Sequence, residues 1–321
     1  MSGQVLEIAD PSRFSVGALL ASAECMLKEA GIEQPALEAG WLLEHVLELS
    51  PLLQRVRQEH HVTADDRKRV QTLVTRRANR EPLQYVLGTQ EFCGREFYVT
   101  SAVLIPRPES ALLVEETVRR CRLTPSATVV DVGTGSGCLA VSIAAALPTA
   151  HMLAIDVSSN ALSVARENML RHGVAERITG LCGDLLSPLE TILPRTRVDV
   201  ILSNPPYIEE MNWMALQPEV RCFEPRLALA GGRDGMDLHR RLIQRAPQFL
   251  KPNGVLLMEV GMGQAMSVCR YAEASGSFRV YEVLRDEGGI DRVVCLEYKN
   301  RGKQAHNALA MVQMKQFTPA S

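Results

Sequence analysis

The chain has 321 residues, 46% hydrophobic and 22% charged, with a formal net charge of -2. That balance excludes a disordered or membrane-embedded chain and suits a catalytic domain with a smaller companion. It also withholds the broad positive field that neutralises phosphates, so no stable nucleic-acid partner is expected.

Eight cysteines are scattered without a C-x-x-C pair, a pattern of reduced thiols rather than disulfides or structural zinc, and no metal is expected. The stretch up to Phe14 lacks the basic region and apolar run of a signal peptide. No apolar run approaches the roughly 18 residues of a membrane span. A cytoplasmic protein with no membrane partner is expected, with a monomer favoured.

From residue 14 to 80 the apolar spacing is helical, clearest in Ala39, Leu42, Leu43, Val46 and Leu47, which follow the i, i+3, i+4, i+7, i+8 template. The pattern predicts three helices, broken at Gly31 to Pro35, at Ser50-Pro51 and at Thr63, whose hydroxyl is placed to cap the third. Arg67, Lys68, Arg69, Arg76, Arg77 and Arg80 make that helix basic. A solvated face is favoured over a docking surface for an acidic partner or RNA.

From Glu81 to Glu109 short extended pieces, Glu91-Phe92 and Phe97 to Val99, alternate with Gly88 and Gly94 and end at Pro106-Arg107-Pro108. They read as a β-hairpin linker with a stiff loop that can wall a neighbouring pocket.

Beyond residue 110 strands and helices alternate. Strands are expected at Ala127 to Val132, Met152 to Asp156, Ile178 to Leu181, Val198 to Ser203 and Gly254 to Val260, with helices from Cys138, from Ala161 and around His239 to Leu250. This rhythm predicts a doubly wound, mostly parallel α/β sheet, Rossmann-like in plan. Val280 to Leu284 and Arg292 to Tyr298 add an edge hairpin, and 299–321 reads as a mobile tail.

The first buried strand runs into Gly133-Thr134-Gly135-Ser136-Gly137 and then an apolar helix. Glycines there allow a tight turn, and the helix start offers free N–H groups to a ligand. A dinucleotide fingerprint needs its third glycine where Cys138 stands, which counts against a nicotinamide cofactor. Asp156 ends the next strand, at the distance where an acid accepts from ribose hydroxyls; capping the following helix is the plainer alternative. Asp184, after Gly183, is placed for an adenine amine with Leu185 against the ring, although Gly-Asp also makes ordinary turns.

Asn204-Pro205-Pro206-Tyr207 follows a further buried strand. An amide or aromatic amine nitrogen is a poor nucleophile because its lone pair is delocalised. The Asn204 side-chain oxygen and the Pro205 carbonyl suit the two N–H bonds of a substrate NH2 group. They would fix its plane and favour the positive charge that builds on nitrogen. Consecutive prolines stiffen the acceptors, and Tyr207 offers a flat face for stacking. Near-attack placement of this kind is worth roughly 7–11 kcal/mol in favourable cases. Asn204, Pro205 and Tyr207 are therefore the candidate catalytic residues of an S-adenosylmethionine-dependent methyltransferase, with Pro206 in the substrate-binding set.

With these residues the chain resembles the HemK/PrmC family of peptide chain release factor N5-glutamine methyltransferases. The likeness is carried by Glu81-Pro82-Leu83-Gln84-Tyr85, Leu104 to Glu109, the Gly133 loop, Ser203 to Ile208, Glu224-Pro225, Gly231-Gly232-Arg233-Asp234-Gly235, Glu259-Val260-Gly261 with Gln264, and Asp291 to Val294. It implies a seven-stranded methyltransferase sheet at 110–298, with a substrate-docking helical domain at 1–80 joined by the hairpin at 81–109. It implies S-adenosylmethionine as cofactor, held by Gly133 to Gly137, Asp156, Asp184, Leu185 and Asn204. It also implies class 1 release factors as protein substrate, their Gly-Gly-Gln glutamine held by Asn204 to Tyr207. Family members commonly have an acidic residue where this chain has Ala111, which puts any role of that carboxylate in question. The related glutamine methyltransferase of a large-subunit ribosomal protein has a Pro-Arg-Ser-Pro loop, so Pro108 favours the release factor. A nucleic-acid amino-group methyltransferase and a nonenzymatic binding module that keeps the pocket without turnover are the remaining alternatives.

Overall fold

The computed structural model describes residues 14–192 and 197–299. The expected tail therefore lies, from residue 300 on, outside the described residues.

The chain divides into two compact units. The first comprises Met1–Thr89, described from residue 14, with Gln217–Phe223. It holds helices α1 (Val16–Glu29), α2 (Pro35–Leu47), α3 (Pro51–Val56), α4 (Ala64–Ala78) and α5 (Leu83–Leu87). The Thr63 hydroxyl accepts from Asp66 N as the sequence suggests. Two details differ from the sequence reading. Ser50-Pro51 starts a short helix rather than only ending one, because Ser50 caps it and proline fits the first helical position, where no N–H is needed. Residues 83–87 are helical rather than extended, closed by Gly88 at φ 80°. The core of this unit is Val16, Leu27, Leu42, Leu43, Val70 and Val74 with their neighbours.

The basic helix divides: Arg67, Lys68 and Arg69 are exposed, forming the solvated face expected, whereas its last turn is engaged within the unit. Arg77 is buried and binds Glu38 and Glu219, Arg80 binds Glu219, and Arg76 binds Glu81. Its last turn is thus an internal ion network that fastens α10 (Pro218–Phe223) to α4 and α2.

The second unit comprises Gln90–Leu216 and Glu224–Ser321. A two-stranded hairpin, β1 (Thr89–Phe92) with β2 (Arg95–Tyr98), precedes α6 (Ala111–Cys121). Then come β3 (Thr128–Val132), α7 (Cys138–Ala146), β4 (His151–Asp156), α8 (Ser159–Arg171), β5 (Ile178–Cys182), α9 (Ser187–Ile192) and β6 (Val198–Ser203). After α10 follow α11 (Asp237–Arg245), β7 (Leu250–Glu259), α12 (Ala265–Ala274), β8 (Phe278–Arg285) and β9 (Asp291–Tyr298).

The seven-stranded sheet has the order β5-β4-β3-β6-β7-β9-β8. Strands β3 to β7 pair in parallel, while β9 is antiparallel to β7 and to β8. Alternate residues face opposite layers: Val129, Val200 and Leu257 join Leu139 and Ile143, whereas Val130, Ile201 and Leu256 join Leu242 and Val268. Burial on both faces explains the near-continuous apolar strands. Chain order reverses between β3 and β6, the switch point beside which open α/β sheets bind ligands.

Candidate active site

The Gly133 turn leaves β3 at that switch point. Its backbone is stitched to the neighbouring strand, because Gly133 N and Thr134 N both donate to Ile155 O, at 2.8 and 2.9 Å. Gly133, Gly135 and Gly137 have φ of 75, 53 and 79°, a left-handed path that glycine follows without strain. At Gly137, the N-cap of α7, an added Cβ would lie 3.1 Å from Ala165 Cβ.

Under the turn, Asp131 is fully buried and accepts from Thr134 Oγ1 at 2.7 Å, while its other oxygen meets no hydrogen-bond partner among the described residues. Burial pushes its carboxyl up to about 7, against the pull of the Thr134 hydrogen bond. Asp156 closes the turn from β4: Oδ2 accepts from Gly135 N and Oδ1 from Ser158 N, both at 2.9 Å. Both of its carboxylate oxygens are engaged by the turn and the start of α8, and each keeps lone pairs for a further donor. Asp184 forms an ion pair with Arg241 of α11, a partner that no sequence feature announces.

These loops surround a cavity of about 630 Å³, within the usual range for a small-molecule site. Gly133 to Ser136, Asp156, Asp184, Leu185, Asn204 and Pro206 line it; Gly137, Pro205 and Tyr207 do not. Its remaining wall includes Pro106, Arg107 and Ser110, so the stiff loop lies where the sequence reading put it. That loop is pinned by Glu224, which binds the Arg107 guanidinium and accepts from Ile105 N at 3.2 Å.

The hairpin is tied to the glycine turn by a residue the sequence did not single out. Asn168 of α8 is buried, accepts from Tyr98 N at 2.8 Å, and donates to Tyr98 O and Ser136 O, both at 2.9 Å. Three hydrogen bonds to backbone groups make Asn168→Ala cost about 2–4 kcal/mol, since each partner left unsatisfied costs about 1–3 kcal/mol. Urea unfolding of the variant measures this; an unchanged midpoint would rule out the tie.

A family model described as the PrmC N-terminal domain matches residues 18–88, and one described as the methyltransferase small domain matches residues 108–218. The release factor glutamine methyltransferase of Geobacter sulfurreducens is 44% identical over 268 residues, spanning 84% of this chain and 91% of that protein. Those of Moorella thermoacetica and Cereibacter sphaeroides are 41 and 40% identical, spanning 85 and 86% of this chain and 95% of each relative. The chain belongs to the release factor glutamine methyltransferase family.

It is therefore an S-adenosylmethionine-dependent methyltransferase. The left-handed glycines of the turn, the acids at the ends of β4 and β5, and the cavity they enclose suit a nucleoside joined to an amino-acid chain.

The loop Asn204 to Ile208 is held by residues from elsewhere in the chain. Gln264 Nε2 donates to Tyr207 O and Gln264 Oε1 accepts from Gly261 N, both at 3.0 Å. Gly231 N donates to Ile208 O at 2.9 Å. A Cβ on Gly231 would lie 2.7 Å from Tyr207 Cα, and one on Gly235 would lie 2.3 Å from Tyr207 O. Gly231 and Gly235 thus mark where other parts of the chain meet this loop.

Tyr207 itself donates from its hydroxyl to Glu259 Oε1 at 3.3 Å, and burial and Glu259 raise its phenol above the ordinary value. Its ring packs toward Gly261. Asn204 Nδ2 donates to Ser110 Oγ at 3.0 Å, and Ser110 Oγ donates to Glu259 Oε2 at 2.6 Å. Glu259 ends β7 at the same sheet edge as Asp156, so the rule that picked out Asp156 applies to it too. Ser110 had no such signal. Ala111 packs against the apolar core at the start of α6.

Proposed function

We propose that this protein transfers a methyl group to the side-chain amide nitrogen of the glutamine in the Gly-Gly-Gln motif of class 1 peptide chain release factors. The observation that carries this reading is the orientation of Asn204. Its NH2 is committed to Ser110, and its Oδ1 meets no protein donor among the described residues, at the edge of the cavity. A free amide oxygen there suits a substrate N–H, with the Pro205 carbonyl for the second. The names and wide coverage of the relatives support the release factor as acceptor.

When bound, S-adenosylmethionine supplies an electrophilic methyl on a sulfonium. Gly133 to Ser136, Asp156, Asp184, Leu185 and Asn204, which line the cavity, would hold it in this reading, and Gly137 would serve by shaping the turn. Asn204, Pro205, Pro206 and Tyr207 hold the glutamine, and the chain's contribution to rate is alignment and stabilisation of charge on the nitrogen. Of these residues Tyr207 acts by anchoring its loop, since its hydroxyl is engaged by Glu259. The helical domain at 1–80 docks the release factor, and the transferase domain at 110–298 carries the site.

Incubation of the enzyme with labelled S-adenosylmethionine and, separately, a class 1 release factor, a large-subunit ribosomal protein preparation and naked RNA tests this. Label is expected on the release factor. A labelled ribosomal protein or RNA beside an unlabelled release factor would replace the reading.

A further inference from the structure

We infer that Glu259 and Ser110 are positioning residues for methyl transfer: through the Ser110 hydroxyl, Glu259 decides which end of the Asn204 side-chain amide faces the acceptor. The inference rests on the reading of Asn204 given above.

An ionised carboxylate can only accept, and a serine hydroxyl has one proton to give. Ser110 lies 2.6 Å from Glu259 Oε2 and is 3% exposed, so its proton is committed to Glu259. Toward Asn204 it presents only lone pairs, which select the NH2 end of that amide. The Tyr207 hydroxyl is directed by the same carboxylate. One buried acid therefore sets the direction of the hydrogen bonds behind both ends of the acceptor loop.

A protonated Glu259 removes that direction. It can donate to Ser110, which then donates to Asn204 Oδ1, and the amide turns over. Its NH2 would then face the NH2 of the substrate, donor against donor. The groups facing Glu259 are Ser110 and Glu109 from the turn before α6, Tyr207 from the acceptor loop, Arg292 from β9, and His239 of α11, which contacts the Glu259 carbonyl at 2.8 Å. Arg107, near Tyr207, is paired with Glu224, and Arg292 is paired with Asp286. Tyr207 is held protonated and burial holds His239 neutral, so Glu259 is the member that changes charge near neutrality. Burial pushes it up to about 7, opposed by the Ser110 and Tyr207 hydrogen bonds. The ionised form is the ordering one, so ordering is lost as the pH falls through that value.

The test compares wild type, Glu259→Gln, Ser110→Ala and Ser110→Thr. Wild-type kcat should fall as pH drops through about 7. Glu259→Gln should lower kcat roughly 10- to 100-fold, the scale of a small misplacement of reacting groups, and lose that acid limb while S-adenosylmethionine affinity is unchanged. Ser110→Ala should match it, and Ser110→Thr, which keeps the hydroxyl, should restore turnover. Independently of any acceptor, the Asn204 side-chain NH2 signals in asparagine-labelled protein should titrate with the same midpoint and cease to do so in Glu259→Gln. Wild-type kcat and acid limb in Glu259→Gln, or Asn204 signals indifferent to pH, would overturn the inference. Failure of the wild type to methylate a release factor would strike the substrate reading alone, because the Asn204 titration is read without it.

Discussion

Asn204→Ala lowers kcat by about 10²–10³-fold, the usual cost of deleting one preorganised polar group that meets developing charge. In the proposed reading the alanine removes the oxygen that orients the acceptor nitrogen, while Asn204 is only one of many residues lining the cavity. Affinity for S-adenosylmethionine, measured by calorimetry, is therefore expected to fall far less than turnover. The variant should also fold, because the strand before it is anchored independently: Ser203 Oγ donates to Val132 O at 2.7 Å. Turnover within a few-fold of wild type would remove Asn204 from the mechanism.

Gly231→Ala has the second largest expected effect, although the residue lies outside the cavity lining. Its added carbon would sit 2.7 Å from Tyr207 Cα, 2.8 Å from Pro206 O and 2.8 Å from Tyr207 C, all of them backbone. No side chain is there to rotate away, so the acceptor loop itself must move. Overpacking of this kind costs about 1–3 kcal/mol of stability, and a shift approaching 1 Å at the acceptor costs about 10²-fold in rate. Gly263→Ala is the control: its φ is +84° but nothing lies within 4 Å of the new carbon. It should show backbone strain in urea unfolding and near-normal turnover. Equal activity in the two variants would show that contact with Pro206 and Tyr207 is not what Gly231 serves.

Much of this site could be read before any coordinates because it is built from short-range signals. Gly133 to Gly137 announce a turn after a strand, and Asp156 and Asn204 each follow an apolar run, so all three fall at one sheet edge by the rule for parallel strands. The family motifs at Gly231, Gly235, Gly261 and Gln264 were visible as a likeness, but their purpose was not. Each is a close approach to Tyr207 from a distant part of the chain.

What escaped the sequence depends on pairing between remote residues. Ser110 and Glu259 are 149 positions apart, and nothing local marks a serine as the link between an acid and an amide. Asn168 and Arg241 sit within helices, where polar residues ordinarily face water. Arg77 looked like one more surface charge until its burial against Glu38 and Glu219 was seen. Between Ser203 and His239 the sequence reading found no element, whereas the structure has short 3-10 turns, an isolated bridge from Ile208 to Ala230 and α10. Such pieces are too short for hydrophobic periodicity to reveal.

In the proposed function the acceptor is a release factor glutamine. Mass spectrometry of release factors from cells with and without this protein tests it most directly. The account predicts one methyl group on the Gly-Gly-Gln glutamine when the protein is present, lost when it is absent and restored by the wild type but not by Asn204→Ala. Methylation of that glutamine unchanged in cells lacking the protein would contradict it.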